Sequence, residues 1–155
     1  TPAFLFAALL WPAYAQELQT LLQEGHDPPV AEQRAADRVT LRQNTHIAIP
    51  RRFSMPMHEI WKMQSRFPQR QRKRVFRLLA HPRFRAGFDF LLLRASVVPE
   101  LREEADWWGQ AQAVPAEELA GQLVGKTGPA KGDEAEGAPS KSRRRRRRPR
   151  KSPAK

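Results

Sequence analysis

The sequence predicts an all-α fold: an irregular multi-helix domain over residues 1–112, then a basic, low-complexity tail over 113–155 that is expected to be disordered. Three observations carry this reading. Helix formers (Ala, Leu, Arg, Gln, Glu) dominate, and alternating β-branched runs are almost absent. Apolar residues recur at helical spacing between proline breaks. Beyond Pro115 that period stops, and Gly, Pro, Ala, Ser and charges take over up to the closing KSRRRRRRPRKSPAK.

The first helix is the least obvious. Phe4–Leu10 has the length of a secretory apolar core, and Ala13-Tyr14-Ala15 before Gln16 resembles a cleavage site. A signal needs a positive segment ahead of that core, and only Thr-Pro-Ala precedes Phe4. Pro2 suits a first helical turn, where a missing N–H costs nothing. Ala3–Trp11 is apolar nearly all round, so it reads as a helix buried on several sides. Pro12 is expected to end or kink it, with an amphipathic continuation from Glu17 to Gln23.

After the GHDPP break, Val30 to about Thr45 reads as a polar helix with a narrow apolar stripe, stopped by IAIP at Ile47–Pro50. A third helix is expected from about Met55 to Phe67, with Ser54 as its N-cap. Gln69–Leu79 follows. At 100° per residue, Arg70, Lys73, Arg74 and Arg77 fall within an arc of about 100°, opposite Val75, Phe76, Leu78 and Leu79. His81-Pro82 opens the next helix, with Phe84, Phe88, Leu91, Leu92 and Ala95 on one face and His81 as its cap. Pro99 opens a last helix to about Gln112.

Charge is the strongest functional signal. The 155 residues carry a net charge of +12 and no cysteine, so disulfides and thiolate metal sites are excluded. No stretch approaches the roughly 18–20 apolar residues that span a bilayer. Such a balance favours polyanionic partners, nucleic acid ahead of an acidic membrane, and the arginine arm has no apolar face to insert. From Pro50 to Arg85 the only acid is Glu59, among eleven lysines and arginines. A phosphate-binding surface accounts for that imbalance. A solvated face paired with Asp37, Asp89, Glu103 or Asp106 is the plainer alternative.

Other motifs are weaker. GQLVGKTG (Gly121–Gly128) has three residues between its glycines where a phosphate loop needs four, and Ala120 holds the place of the first glycine. The four histidines have no metal-ligand spacing. Trp61, Trp107 and Trp108 lie at helical spacing beside Leu and Phe, which favours core over base stacking.

Four segments, PAFLFAALLWPA, IPRRFSMPMHEIWKMQSRF, FRLLAHPRFRAGFDFLLLRA and ADWWGQAQ, together resemble the carboxyl-terminal region of bacterial poly(A) polymerases. These belong to the nucleotidyltransferase superfamily of the tRNA CCA-adding enzymes. The resemblance runs from Pro2 to about Gln112, and Phe76–Ala95 with Ala105–Trp108 is its most specific part. It implies an enzyme of the bacterial cytoplasm that adds AMP from ATP to RNA 3′ ends, using Gly-Ser and Asp-x-Asp motifs to hold nucleotide phosphates and Mg.

Neither motif occurs here, so no catalytic or metal-binding residue is carried over and the chain alone is expected to be inactive. The ATP and Mg sites would lie outside this chain, in a catalytic head expected upstream of Thr1. What the resemblance implies for these residues is the helical body and tail that hold RNA, mainly single-stranded 3′ ends. The expected contacts are Arg51, Arg52, Arg66, Arg70, Arg72, Lys73, Arg74, Arg77, Arg83 and Arg85. The arm Arg143, Arg144, Arg145, Arg146, Arg147 and Arg148 would join them, acting by backbone neutralisation. A free-standing basic helical protein that binds nucleic acid without catalysis is the alternative.

Overall fold

The computed structural model describes residues 1–124, which form seven α-helices and no strand. The arginine run Arg143–Arg148, the expected disorder of the tail and the Gly125–Gly128 part of GQLVGKTG lie outside the described residues.

Helix α1 (Pro2–Gln23) starts with proline in its first turn, as the sequence suggests, but it continues unbroken through Pro12. An internal proline costs about 3 kcal/mol in lost hydrogen bonding and ring clash. Ala7 before it, and Tyr14 and Leu21 after it, are buried in one core with α2 and α3 residues. At about 1.5–3 kcal/mol for each large apolar side chain, that burial outweighs the break. The helix is not covered all round, however: Leu5 and Leu9 are 63% and 75% exposed. The apparent cleavage site lies mid-helix, with Tyr14 at its centre fully buried.

Gly25, at φ 87°, ends α1 in a left-handed turn that an L side chain would strain. Its N–H donates to the Leu22 carbonyl and that of His26 to Leu21, both at 3.1 Å, which satisfies two of the last free carbonyls. Helix α2 (Pro28–Asn44) starts two residues before the expected Val30 because Asp27, in extended conformation, already accepts the Ala31 N–H. Its inner positions are Ala31, Ala35, Ala36 and Val39, small side chains that let it lie close on α1. Outside that contact, Glu17 of α1 accepts hydrogen bonds from Arg38 and Arg42 at 2.7 and 3.0 Å. The Arg38 bond leads in holding the Glu17 carboxyl below its usual range.

Helix α3 (Arg51–Gln64) begins four residues before the expected Met55, after Pro50. Ser54 is therefore not its cap. It is buried inside the helix, its hydroxyl turned back to the Arg51 carbonyl. Trp61 lies between the Tyr14 ring (centroids 4.5 Å) and His58 (5.8 Å), and its indole N–H donates to the Ala7 carbonyl at 3.0 Å. His58 shares a hydrogen bond with Thr40 at 2.8 Å, and burial pulls its imidazole below the usual value.

Helix α4 (Arg72–Leu79) is short, and α5 (Phe84–Val97) starts after a turn rather than at Pro82. His81 is therefore not the cap of α5, whose N-cap is Arg83; its Nδ1 accepts the Arg83 N–H at 3.0 Å within the turn that precedes the helix. A 3-10 turn (Pro99–Leu101) leads into α6 (Arg102–Ala113). Helix α7 (Ala116–Val124) falls where the sequence suggests tail, so the helical region extends past 112. Leu119 and Leu123, one helical turn apart, drop into the core made by Phe67, Phe84, Phe88, Leu91 and Trp108. Gly121 belongs to this helix, not to a phosphate loop.

Two cores result, one under α1–α2–α3 and one under α4–α6–α7, and both contain residues of α3 and α5. Gln64 links these two helices: its amide donates to the Ile60 and Gly87 carbonyls and accepts from Arg94 at 3.1 Å. Gly87 permits the approach, since a Cβ there would overlap Met63 Sδ and press its Cβ at 3.3 Å. Gly87→Ala gains about 1 kcal/mol of helix propensity but incurs about 1–3 kcal/mol of overpacking. A lower urea midpoint is the expected outcome; a higher one would mean that Met63 yields freely.

Candidate nucleic-acid interface

Helix α4 is built to hold cations outward. Val75 and Leu78 are buried in the second core, which fixes the rotation of the helix and leaves Arg72, Lys73, Arg74 and Arg77 exposed. Three of these cations stand in its first turn with no acid among them. The peptide dipole makes that end positive, so each cation there costs roughly 0.3–1 kcal/mol instead of stabilising the helix. Arg51 and Arg52 repeat the arrangement in the first turn of α3. Local helix stability favours the opposite placement.

The ten expected contact residues of the folded region divide into two sets. Arg70 forms a bidentate pair with Glu103 at 2.9 and 2.7 Å and lies over the Trp107 ring at 4.8 Å. That hydrogen bond is the leading cause of its raised pKa. Arg83 pairs with Glu59 at 3.2 Å, and Arg85 with Asp89 at 3.1 Å. Glu103 and Asp89 therefore neutralise part of the belt, as the plainer reading expects. Arg51, Arg52, Arg66, Arg72, Lys73, Arg74 and Arg77 form no ion pair among the described residues.

These seven do not form one patch. Arg51 and the end of α3 are roughly 20 Å apart along a 14-residue helix at 1.5 Å per residue. What the fold does bring together is Arg66, Arg74 and Arg77. With Gln69, Leu78 and His81 they line a concavity of about 330 Å³ beside α4. Gln69 and His81 were absent from the sequence-derived set. Their signal was only a position, each in a turn flanking the basic helix and next to a proline.

Two of the tryptophans are core residues. Trp61 and Trp108 are fully buried, and Trp108 donates its indole N–H to the Phe67 carbonyl at 2.9 Å. Arg94 is half-buried: it lies 4.5 Å from the Trp11 ring centroid, and burial lowers its pKa. No group of three or more His, Asp or Glu among the described residues is placed to hold a metal ion, and no helix there is long and apolar enough to cross a membrane.

The sequence of this chain matches a known family. The family model described as "Polymerase A arginine-rich C-terminus" covers residues 24–152, and the chain belongs to that family. It is 38% identical over 156 residues to poly(A) polymerase I of Escherichia coli O6:H1, which takes in 97% of this chain and 31% of that protein. It is 39% identical over 153 residues to poly(A) polymerase I of Salmonella typhimurium, with the same coverage. The Haemophilus influenzae poly(A) polymerase I is 36% identical over 116 residues, or 72% of this chain and 25% of that protein. The chain thus spans about three-tenths of the length of the first two relatives.

Proposed function

We propose that this chain is the RNA-holding, carboxyl-terminal portion of a bacterial cytoplasmic poly(A) polymerase, an enzyme that adds AMP from ATP to RNA 3′ ends. The observation that carries the reading is α4: cations at its positive end, none of those on the helix in an ion pair among the described residues, at a cost in local stability that an anionic partner would repay. Family membership supports it. The substrate is RNA, mainly single-stranded 3′ ends, bound through phosphates, since a backbone contact tolerates any sequence. Arg143–Arg148 would extend the same field.

ATP and Mg chemistry does not fit these residues. In-line phosphoryl transfer needs clustered carboxylates for the metal. The sequence has no Asp-x-Asp pair, and the described residues offer no such cluster. No catalytic step is therefore assigned to this chain.

The direct test is the affinity of the chain for single-stranded RNA between 50 and 200 mM salt, read by fluorescence anisotropy. A log–log slope of about −0.7 per phosphate contacted is expected. A flat response would exclude the electrostatic mechanism.

A further inference from the structure

The concavity beside α4 has a chemical character beyond its charge. Three guanidinium groups line it, from Arg66, Arg74 and Arg77, and none of them meets a carboxylate among the described residues. Arg74 donates one N–H to the Gln69 side-chain oxygen at 2.7 Å, and Gln69 in turn donates to the Ser65 carbonyl at 3.2 Å. This chain of bonds holds Arg74 in place and uses up acceptor capacity. His81 completes the set. Because its Nδ1 accepts a backbone N–H, the neutral ring carries its proton on Nε2 and has a donor left over.

Apart from the apolar Leu78 and one remaining lone pair on the Gln69 oxygen, the unspent side-chain groups of this lining are N–H donors. A donor-rich hollow suits a ligand that is all acceptor. Three planar guanidinium forks match the paired oxygens of a phosphate better than they match a diffuse field. At about 330 Å³ the space lies at the small end of ligand pockets, enough for one nucleotide unit.

We infer that this concavity seats a single phosphodiester of an unpaired RNA strand, fixing the strand's register as well as neutralising it. The inference rests on the RNA-binding reading above. An unpaired strand can turn one phosphate into a hollow, whereas an A-form duplex holds its phosphates in rigid rows.

The test uses the 155-residue chain with a short oligo(A) and an RNA duplex of equal phosphate number. Arg74→Lys with Arg77→Lys keeps the charge but loses the forked geometry. A seated phosphate predicts about a five-fold or greater loss of oligo(A) affinity, with duplex affinity unchanged. If the lysine pair binds oligo(A) like the parent while Arg74→Gln with Arg77→Gln weakens it, the seat is overturned and RNA binding stands. Equal loss on both probes also overturns the seat for an unpaired strand. Absence of salt-dependent oligo(A) binding by the parent chain overturns the RNA reading, and the seat with it. Both side chains replaced, Arg74 and Arg77, are exposed, so circular dichroism should match the parent throughout.

Discussion

Trp61→Ala is expected to remove about 3–5 kcal/mol of stability, a large part of the roughly 5–15 kcal/mol available to a domain of this size. The indole is 1% exposed and stands at the meeting of three helices. It stacks on Tyr14 of α1, faces His58 on its own helix, and bonds the Ala7 carbonyl five residues before Pro12. Truncation leaves a cavity whose walls belong to both α1 and α3, and neither can close it without losing the other contacts. Because α3 and α5 contribute to both cores, the loss should appear as one earlier transition in urea, not as melting of α1 alone. Trp61→Phe retains most of the buried area and should lose less than half as much. A Trp61→Ala midpoint within error of the parent would show that α1 is not anchored through this ring.

Replacing Arg72, Lys73, Arg74 and Arg77 together by glutamine should reduce single-stranded RNA affinity by two to three orders of magnitude near 0.1 M salt. The figure follows from counterion release: about 0.7 ion per phosphate contact is worth roughly five-fold at that concentration, and four contacts multiply. The salt slope should flatten by roughly 3 at the same time. Helical content should hold, because glutamine has nearly the helix propensity of arginine and lysine and all four side chains are exposed. Removing cations from the positive end of α4 should even raise its stability slightly. Loss of affinity with an unchanged slope would mean that these residues act through the fold, and the surface assignment would fail.

Much of the fold was legible because its elements are set by local pattern. Proline starts, the Gly25 stop and the apolar stripes of α3 and α5 follow from backbone chemistry within a few residues. The failures share a cause. Pro12 reads as a break, yet α1 passes through it because Tyr14 and Leu21 find partners on α2 and α3. Ser54 has the chemistry of a cap, but Pro50 already supplies the extended residue before the helix, so Ser54 is carried inside. Leu5 and Leu9 belong to an apolar run and remain exposed, because only one side of α1 meets the rest of the domain. Helix α7 has no sequence signature, because two leucines one turn apart are too brief a period to mark a helix. They matter only once a core exists to receive them.

The same division holds for the interface. Sequence alone determined that the chain is helical, that it lacks the motifs of a nucleotidyl-transfer centre, and that Pro50–Arg85 is almost free of acid. It also placed Lys73, Arg74 and Arg77 on one side of a helix, since 100° per residue is a local property. Only the tertiary structure decided which cations stay unpaired. Arg70 looks like its neighbours on the wheel but is claimed by Glu103, thirty-three positions away in the chain. Arg83, in the turn before α5, is likewise held by Glu59 of α3, while Arg66 is brought across a turn to face Arg74 and Arg77. Electrostatic partnership depends on distance in space, and that distance is set by the buried apolar contacts of the core.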